Sequence, residues 1–265
     1  MTRSLVERQF GPGASAYGAS EVHRAGESLK RIVEMAGPQA HWRVLDVATG
    51  AGHTAATFAP HVAEVVASDI TAEMLAETAR IAAEKGLSNL STVRAAADEL
   101  AFPAGSFDLV TCRLAAHHFP DVPAFVAAAR RVLKSGGRLA VVDNVTPDAA
   151  NLPGLSAGAL ADAGHRYNAF EKLRDPSHGR ALSQSEWVAI VTADGFEVAA
   201  VEQMKKAMAF EAYVARMRCD GPTRERLLTL LTTDGPLKTF LEPREDRGEL
   251  MFTLREMLLV AHAPD

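Results

Sequence analysis

Short apolar runs of strand length alternate with stretches of helical period along the first half of the chain. RVLDVA (43–48), EVVASD (64–69), LSTVRAA (90–96), FDLVTCR (107–113) and GRLAVVDN (137–144) read as strands. Helical patterns span 71–85, closed by Gly86, and 123–133, closed by KSGG, after a first helix expected over 21–35. This βαβ alternation predicts a mostly parallel sheet with helices on both faces, and in such sheets ligands bind at the carboxyl ends of the strands. The pattern breaks after residue 144. Residues 145–180 are rich in Gly, Ala and Pro and read as loop with a short helix. A helix over 183–194, a strand over 196–210, helical residues 211–234, the loop GPLKTFLEPREDRG and a final strand MFTLREMLLVAHA complete the chain. The expected organisation is one domain over 1–265. Within it, 1–35 form an arm and helix, 41–144 a ligand-binding core, and 145–180 with 211–250 an inserted cap.

Composition narrows the class. With 265 residues, 48% hydrophobic and 23% charged, the chain matches an ordinary globular protein with ample core. The net charge of -5 comes without any basic block, so nucleic acid is not an expected partner. Two cysteines, Cys112 and Cys219, make neither a disulfide framework nor a zinc site and suit a reducing compartment. MTRSLVERQF lacks the apolar centre of a signal peptide, and no apolar run approaches the ~18 residues of a membrane span. A cytoplasmic protein without integral membrane contact is expected.

The chemistry concentrates in VLDVATGAGHTA (44–55). Its spacing Gly50-x-Gly52-x-x-Ala55 lets backbone approach a ligand and starts a helix with free N–H groups, which suits a dinucleotide as well as other adenosine cofactors. Asp69, about twenty residues on and ending the second strand, is placed to accept both ribose hydroxyl protons. Asp46, ahead of the glycines, would repel a pyrophosphate and suits a cationic cofactor, either by receiving an ammonium or by orienting the loop. Asp98, beyond the third strand, is placed to accept the adenine amino group, and LKSGGRLAVVD (133–143) supplies a helix, a Gly-Gly turn and a fifth strand.

In this order, VLDVATGAGHTA, SDITAEML, AADELAFPAGSFDLVTCRLAAHHF and ARRVLKSGGRLAVVDN resemble the successive motifs of class I S-adenosylmethionine-dependent methyltransferases, in the branch similar to the ubiquinone/menaquinone C-methyltransferases (UbiE-like). The resemblance covers residues 10–144 and, more loosely, LRDPSHGRALSQSEWVAIVTADGF. It implies an α/β, Rossmann-like, seven-stranded mostly parallel sheet with an antiparallel last strand. S-adenosylmethionine would be the cofactor and S-adenosylhomocysteine the product, with a small-molecule methyl acceptor. Ala48 departs from the commonest first motif, which has glycine there. The resemblance places Asp46, Ala48, Gly50 and Gly52 around the methionine part, Asp69 on the ribose, and Ile70 and Met74 beside adenine. It puts Asp98 and the Glu99 backbone on the adenine edge, the backbone of Arg113 and Leu114 along the methionine tail, and Phe10 and Tyr17 of the arm over the cofactor. An NAD(P)-dependent oxidoreductase, resting on the glycine spacing and Asp69 alone, is the alternative, as is a cofactor-binding protein without methyl transfer.

RLAAHHF carries His117 and His118. Adjacent residues of a helical turn face different sides, so one of them, His118, is nominated to line the site near the transferred methyl. No metal is expected, since adjacent imidazoles lack metal-motif spacing. A histidine titrating near neutral pH would serve as base for a phenol, hydroxyl or activated carbon, and His118 is the catalytic candidate. Arg174, Asp175, His178 and Arg180 mark a polar turn expected to act as a lid on the acceptor, with 145–180 and 211–250 forming its pocket.

Overall fold

In the computed structural model, residues 4–14, 18 and 26–264 are described. Their centre is an eight-stranded sheet in the order β3-β2-β1-β4-β5-β8-β6, with β7 paired to β8. The strands are β1 (Arg43–Val47), β2 (Glu64–Asp69), β3 (Leu90–Arg94), β4 (Phe107–Arg113), β5 (Leu133–Asn144), β6 (Glu197–Ala209), β7 (Arg244–Asp246) and β8 (Glu249–His262). β1 pairs in parallel with β2 and β4, whereas β8 runs antiparallel to both β5 and β6. The seven principal strands therefore follow the expected plan, and the short β7 hairpin arm is an addition. The chain order reverses between β1 and β4, so the crevice at their carboxyl ends is where a ligand enters such a sheet.

Both faces are covered, which is why the central strands carry apolar residues toward both layers. Helices α2 (Glu27–Ala36) and α3 (His53–Phe58) bring Ile32 and Phe58 onto Val44, Val65 and Leu109. On the opposite face α5 (Val122–Val132) and α7 (Gln184–Ala193) bring Phe125, Val126 and Trp187 onto Leu45, Val110 and Leu259. The neighbours Val44 and Leu45 thus serve opposite layers, as the period of two requires. α4 (Ala72–Glu84) follows β2 and packs on β2 and β3. Its N-terminus adjoins the crevice, as does α1 (Leu5–Phe10), whose Ser4–Glu7 capping box fixes its start.

Three expected elements are corrected. KSGG does not separate a helix from a strand: β5 already begins at Leu133, with a register shift against β4 between Phe107 and Leu109. Segment 145–180 holds an eighteen-residue helix, α6 (Ala157–Arg174), in place of a short one. Gly158 and Gly164 dilute its period in the sequence. The Ser156 cap and burial of Ala163, Tyr167 and Phe170 at helical spacing hold it. Residues 210–241 divide into α8 (Phe210–Arg216), α9 (Gly221–Thr232) and α10 (Pro236–Leu241), the last lying in the expected loop. Asp220 caps α9 through the Thr223 amide at 2.9 Å. These helices and α6 close their own core of Tyr167, Phe170, Tyr213, Phe240 and Phe252.

Candidate active site

The turn between β1 and α3 is drawn together by one carboxylate. Asp46 Oδ1 accepts from Thr111 Oγ1 at 2.7 Å, and Oδ2 accepts from Thr49 Oγ1 at 2.6 Å and from the Ala55 amide at 3.1 Å. β1, β4 and the first turn of α3 are joined in this way. Burial pushes Asp46 up to about 6, against the opposing pull of the two hydroxyls and of Arg113. Its oxygens serve the loop's orientation, one of the two roles open to it. Ala48, Gly50 and Gly52 all take left-handed backbone, with φ of 52°, 55° and 83°. Ala48 bears strain there that glycine would not, of order 1–2 kcal/mol. At Gly52 a Cβ would lie 2.6 Å from Thr78 Cγ2, so close packing as well as φ requires glycine.

Asp69 closes the next strand. Oδ2 accepts the Gly50 amide at 2.9 Å and Oδ1 the Thr71 amide at 2.8 Å, which aims the carboxylate along the mouth of the sheet. Burial raises this carboxyl above its usual value, and the two amides oppose the shift. Both oxygens retain a lone pair for a ligand.

A cavity of about 470 Å³ opens here. From the turn and β2 it is lined by Ala48, Gly50, Asp69 and Ile70, and from α4 by Met74. Asp98 comes from the loop after β3, Arg113 from the end of β4, Leu114 and His118 from the segment that follows it, and Phe10 from α1. Asp46 and Gly52 lie behind this wall as supports. Tyr17 lies outside the described residues. The Glu99 amide donates to the Ala96 carbonyl at 3.2 Å, and the residue lines a neighbouring surface groove with Asp98, Leu100 and Arg131. Sequence reasoning passed over Val6, His53, Thr54, Ala97 and Phe119, which also line the cavity. Val6 belongs to a helix hidden within the arm, and the others are neighbours of nominated residues. No residue of 145–180 or 211–250 among those described lines it.

Arg113 is a buried guanidinium at this wall, donating from Nε to Thr54 Oγ1 at 3.2 Å. Burial lowers its pKa, and the nearby charges of Glu256 and Asp46 oppose that shift.

After β4 the chain makes a tight helical turn, Ala116–His118, whose two imidazoles lie side by side with ring centroids 4.3 Å apart but meet different partners. His117 faces inward to Asp143 at the end of β5, while His118 lines the cavity with the Phe10 ring edge-on at 5.1 Å. Burial pulls His117 down but the adjacent Asp143 carboxylate outweighs it, and the net pKa is raised. His118 differs from the near-neutral base expected: burial, and then the charge of His117, lower it to about 4. Both causes favour the neutral imidazole.

The match to known proteins follows this geometry. The family model for a methyltransferase domain covers residues 45–141, the stretch that builds the glycine turn, Asp69 and the histidine turn. The Bacillus subtilis methyltransferase YcgJ is 33% identical over 256 residues, 96% of this chain and 97% of its relative. The chain belongs to the S-adenosylmethionine-dependent methyltransferases. A crystal structure of the Bacillus halodurans protein BH2331 superposes on this methyltransferase with a TM-score of 0.82 and 32% identity, over 91% of this chain and all of the other. The UbiE C-methyltransferase of Pseudomonas aeruginosa is 31% identical over 195 residues, 72% of this chain and 71% of that protein. The nicotinamide alternative finds no support among these relatives.

The cavity suits the cofactor. Gly50 leaves open space where a Cβ would stand, with nothing of the protein within 4 Å, and its amide ties the loop to an acceptor-only carboxylate at ribose distance in sequence. Among the described residues no cluster of three or more His, Cys, Asp or Glu is arranged to hold a metal ion. No helix among them is long and apolar enough to cross a membrane.

Proposed function

We propose that this methyltransferase acts on a small molecule whose nucleophile is an acidic hydroxyl, or a carbon activated by one, and that His118 holds the acceptor's proton. The observation that carries this reading is the continuity of one cavity from Asp69 and the glycine turn to His118, with Phe10, Leu114 and Phe119 as apolar walls. Asp69 accepts the ribose hydroxyls, Ile70 and Met74 pack on adenine, and Asp98 accepts its amino group. Gly50, Ala48 and the backbone of Arg113 and Leu114 enclose the methionine tail. Bound there, S-adenosylmethionine supplies an electrophilic sulfonium methyl.

The chain's own part is then positioning, with reacting atoms held about 3–3.5 Å apart and water excluded. Apolar walls exclude water and orient the acceptor. A neutral His118 accepts the hydroxyl's hydrogen bond and turns its electron density toward the methyl, a contribution of roughly 10²–10⁴ in rate for general bases.

The test is incubation with S-adenosylmethionine and a panel of phenols and enols, read by mass gain of one CH₂. His118→Ala is expected to keep S-adenosylhomocysteine affinity and lose turnover with the acceptor found. Unchanged turnover removes His118 from the mechanism.

A further inference from the structure

The cap reaches the site through the turn after α6, although it lines none of the cavity. The Gly179 and Arg180 amides both donate to the His117 carbonyl, at 2.8 and 2.9 Å. A Cβ at Gly179 would stand 3.0 Å from that oxygen, so any side chain there would press the two turns apart. Lys172 Nζ ties the far side of the turn through the His178 carbonyl at 2.6 Å, and His178 Nε2 meets Asn168 Oδ1 at 2.8 Å. Inside this tie Asp175 and Ser177 are buried. Asp175 Oδ1 accepts both the Ser177 amide at 2.8 Å and the Ser177 hydroxyl at 2.6 Å.

These bonds decide what His118 meets. Its Nδ1 lies 3.1 Å from the Ser177 carbonyl and 3.4 Å from the Ser177 hydroxyl oxygen. A carbonyl only accepts, and the hydroxyl has already given its proton to Asp175. Both groups facing Nδ1 are therefore acceptors. Nε2 makes no hydrogen bond among the described residues and stands 4.0 Å from Asp175 Oδ2.

We propose that Asp175 is a positioning residue for methyl transfer: by holding the Ser177 hydroxyl proton, it fixes His118 as the Nδ1–H tautomer with its lone pair on Nε2. The inference rests on His118 being the group that holds the acceptor's proton, and it names the device that prepares it. When Nε2 takes that proton, the acceptor's O–H bond breaks and Nε2–H forms. The new positive charge then lies within reach of the Asp175 carboxylate. Its other charged and titratable neighbours are His117, with ring centroids 4.3 Å apart, His178, at 6.4 Å, and Asp143 behind His117. His117 disfavours a second positive charge, and Asp175 and Asp143 oppose it. Free imidazole exchanges its proton between both nitrogens, so a single fixed tautomer is a distinctive signature.

The experiment is a long-range ¹H–¹⁵N spectrum of the imidazoles in ¹⁵N-labelled protein saturated with S-adenosylhomocysteine at pH 7, with His118→Gln identifying the signals. Wild type should show His118 with Nδ1 protonated and Nε2 bare. Asp175→Ala should lose that signature, because the freed Ser177 hydroxyl then donates to Nδ1 and moves the proton to Nε2. Asp175→Ala with Ser177→Ala should restore it, since only the carbonyl is left, and Ser177→Ala alone should keep it. A wild type protonated on Nε2, an unchanged Asp175→Ala spectrum or a double variant that fails to recover each overturns the proposal. Should Asp175→Ala not fold, Nε2–H in wild type or in Ser177→Ala still overturns it. Turnover of His118→Ala reads the underlying role of His118 separately, so the two failures are distinguishable.

Discussion

Asp143 grips His117 twice, Oδ2 accepting its backbone amide at 2.8 Å and Oδ1 meeting its ring Nδ1 at 2.6 Å. The end of β5 thereby sets the turn that presents His118 to the cavity. Asp143→Ala leaves a buried imidazole and an amide without their partner. Removing one member of a buried charged pair typically costs about 3–5 kcal/mol. The urea midpoint should fall accordingly; a midpoint unchanged from wild type contradicts the assigned role.

Asp69→Ala removes the carboxylate assigned to the ribose and frees the Gly50 and Thr71 amides. Hydrogen bonds to charged groups are worth about 1.5–3 kcal/mol, or roughly 10–100-fold in affinity. Calorimetry should show S-adenosylhomocysteine binding weakened by that factor in a folded protein.

Gly50 and Gly52 share positive φ but differ in surroundings. Gly50→Ala meets nothing of the chain, so its stability cost should be only the roughly 1–2 kcal/mol of left-handed strain, while the new methyl enters the cavity assigned to the cofactor. Gly52→Ala adds a collision with Thr78 and should lower the thermal midpoint further. Cofactor affinity lost in Gly50→Ala at nearly native stability is the expected contrast, and equal affinity in Gly50→Ala and wild type would place the cofactor elsewhere.

Acidification should expose the buried imidazole. His118 titrates at about 6.5 in an unfolded chain and at about 4 in the fold. Between those values the unfolded state binds more protons, so the stability His118 contributes is full above about pH 6.5 and is lost as pH falls through 4. By pH 5 the loss is of order 2 kcal/mol. His178, lowered to about 3 by burial and the two neighbouring histidines, acts in the same sense. Asp46, raised to about 6, acts oppositely, losing stability as pH rises toward that value. Urea midpoints at pH 7.5 and 5 should therefore fall more in wild type than in His118→Gln.

Local chemistry made the core legible from sequence. Strand runs, the glycine turn and the carboxylates at strand ends carry their own signal, and β2 and β4 span the residues read as strands. The cap was less legible because its stability is tertiary: α6 has a diluted apolar period and is held by partners distant in sequence, such as Phe240 and Phe252. The same holds within the site. His118 was nominated from its place after β4, but its low pKa depends on burial and on His117. Asp143 and Asp175 enter only once β5 and the turn after α6 meet the histidines, 26 and 59 residues apart for the His117–Asp143 and His118–Ser177 contacts.

A crystal structure with S-adenosylhomocysteine tests the central claim most directly. The account expects the ribose hydroxyls on Asp69, adenine against Ile70 and Met74 with its amino group toward Asp98, and the sulfur facing the His118 end of the cavity. A nucleoside bound without contact to Asp69, or a sulfur turned away from His118, would contradict it.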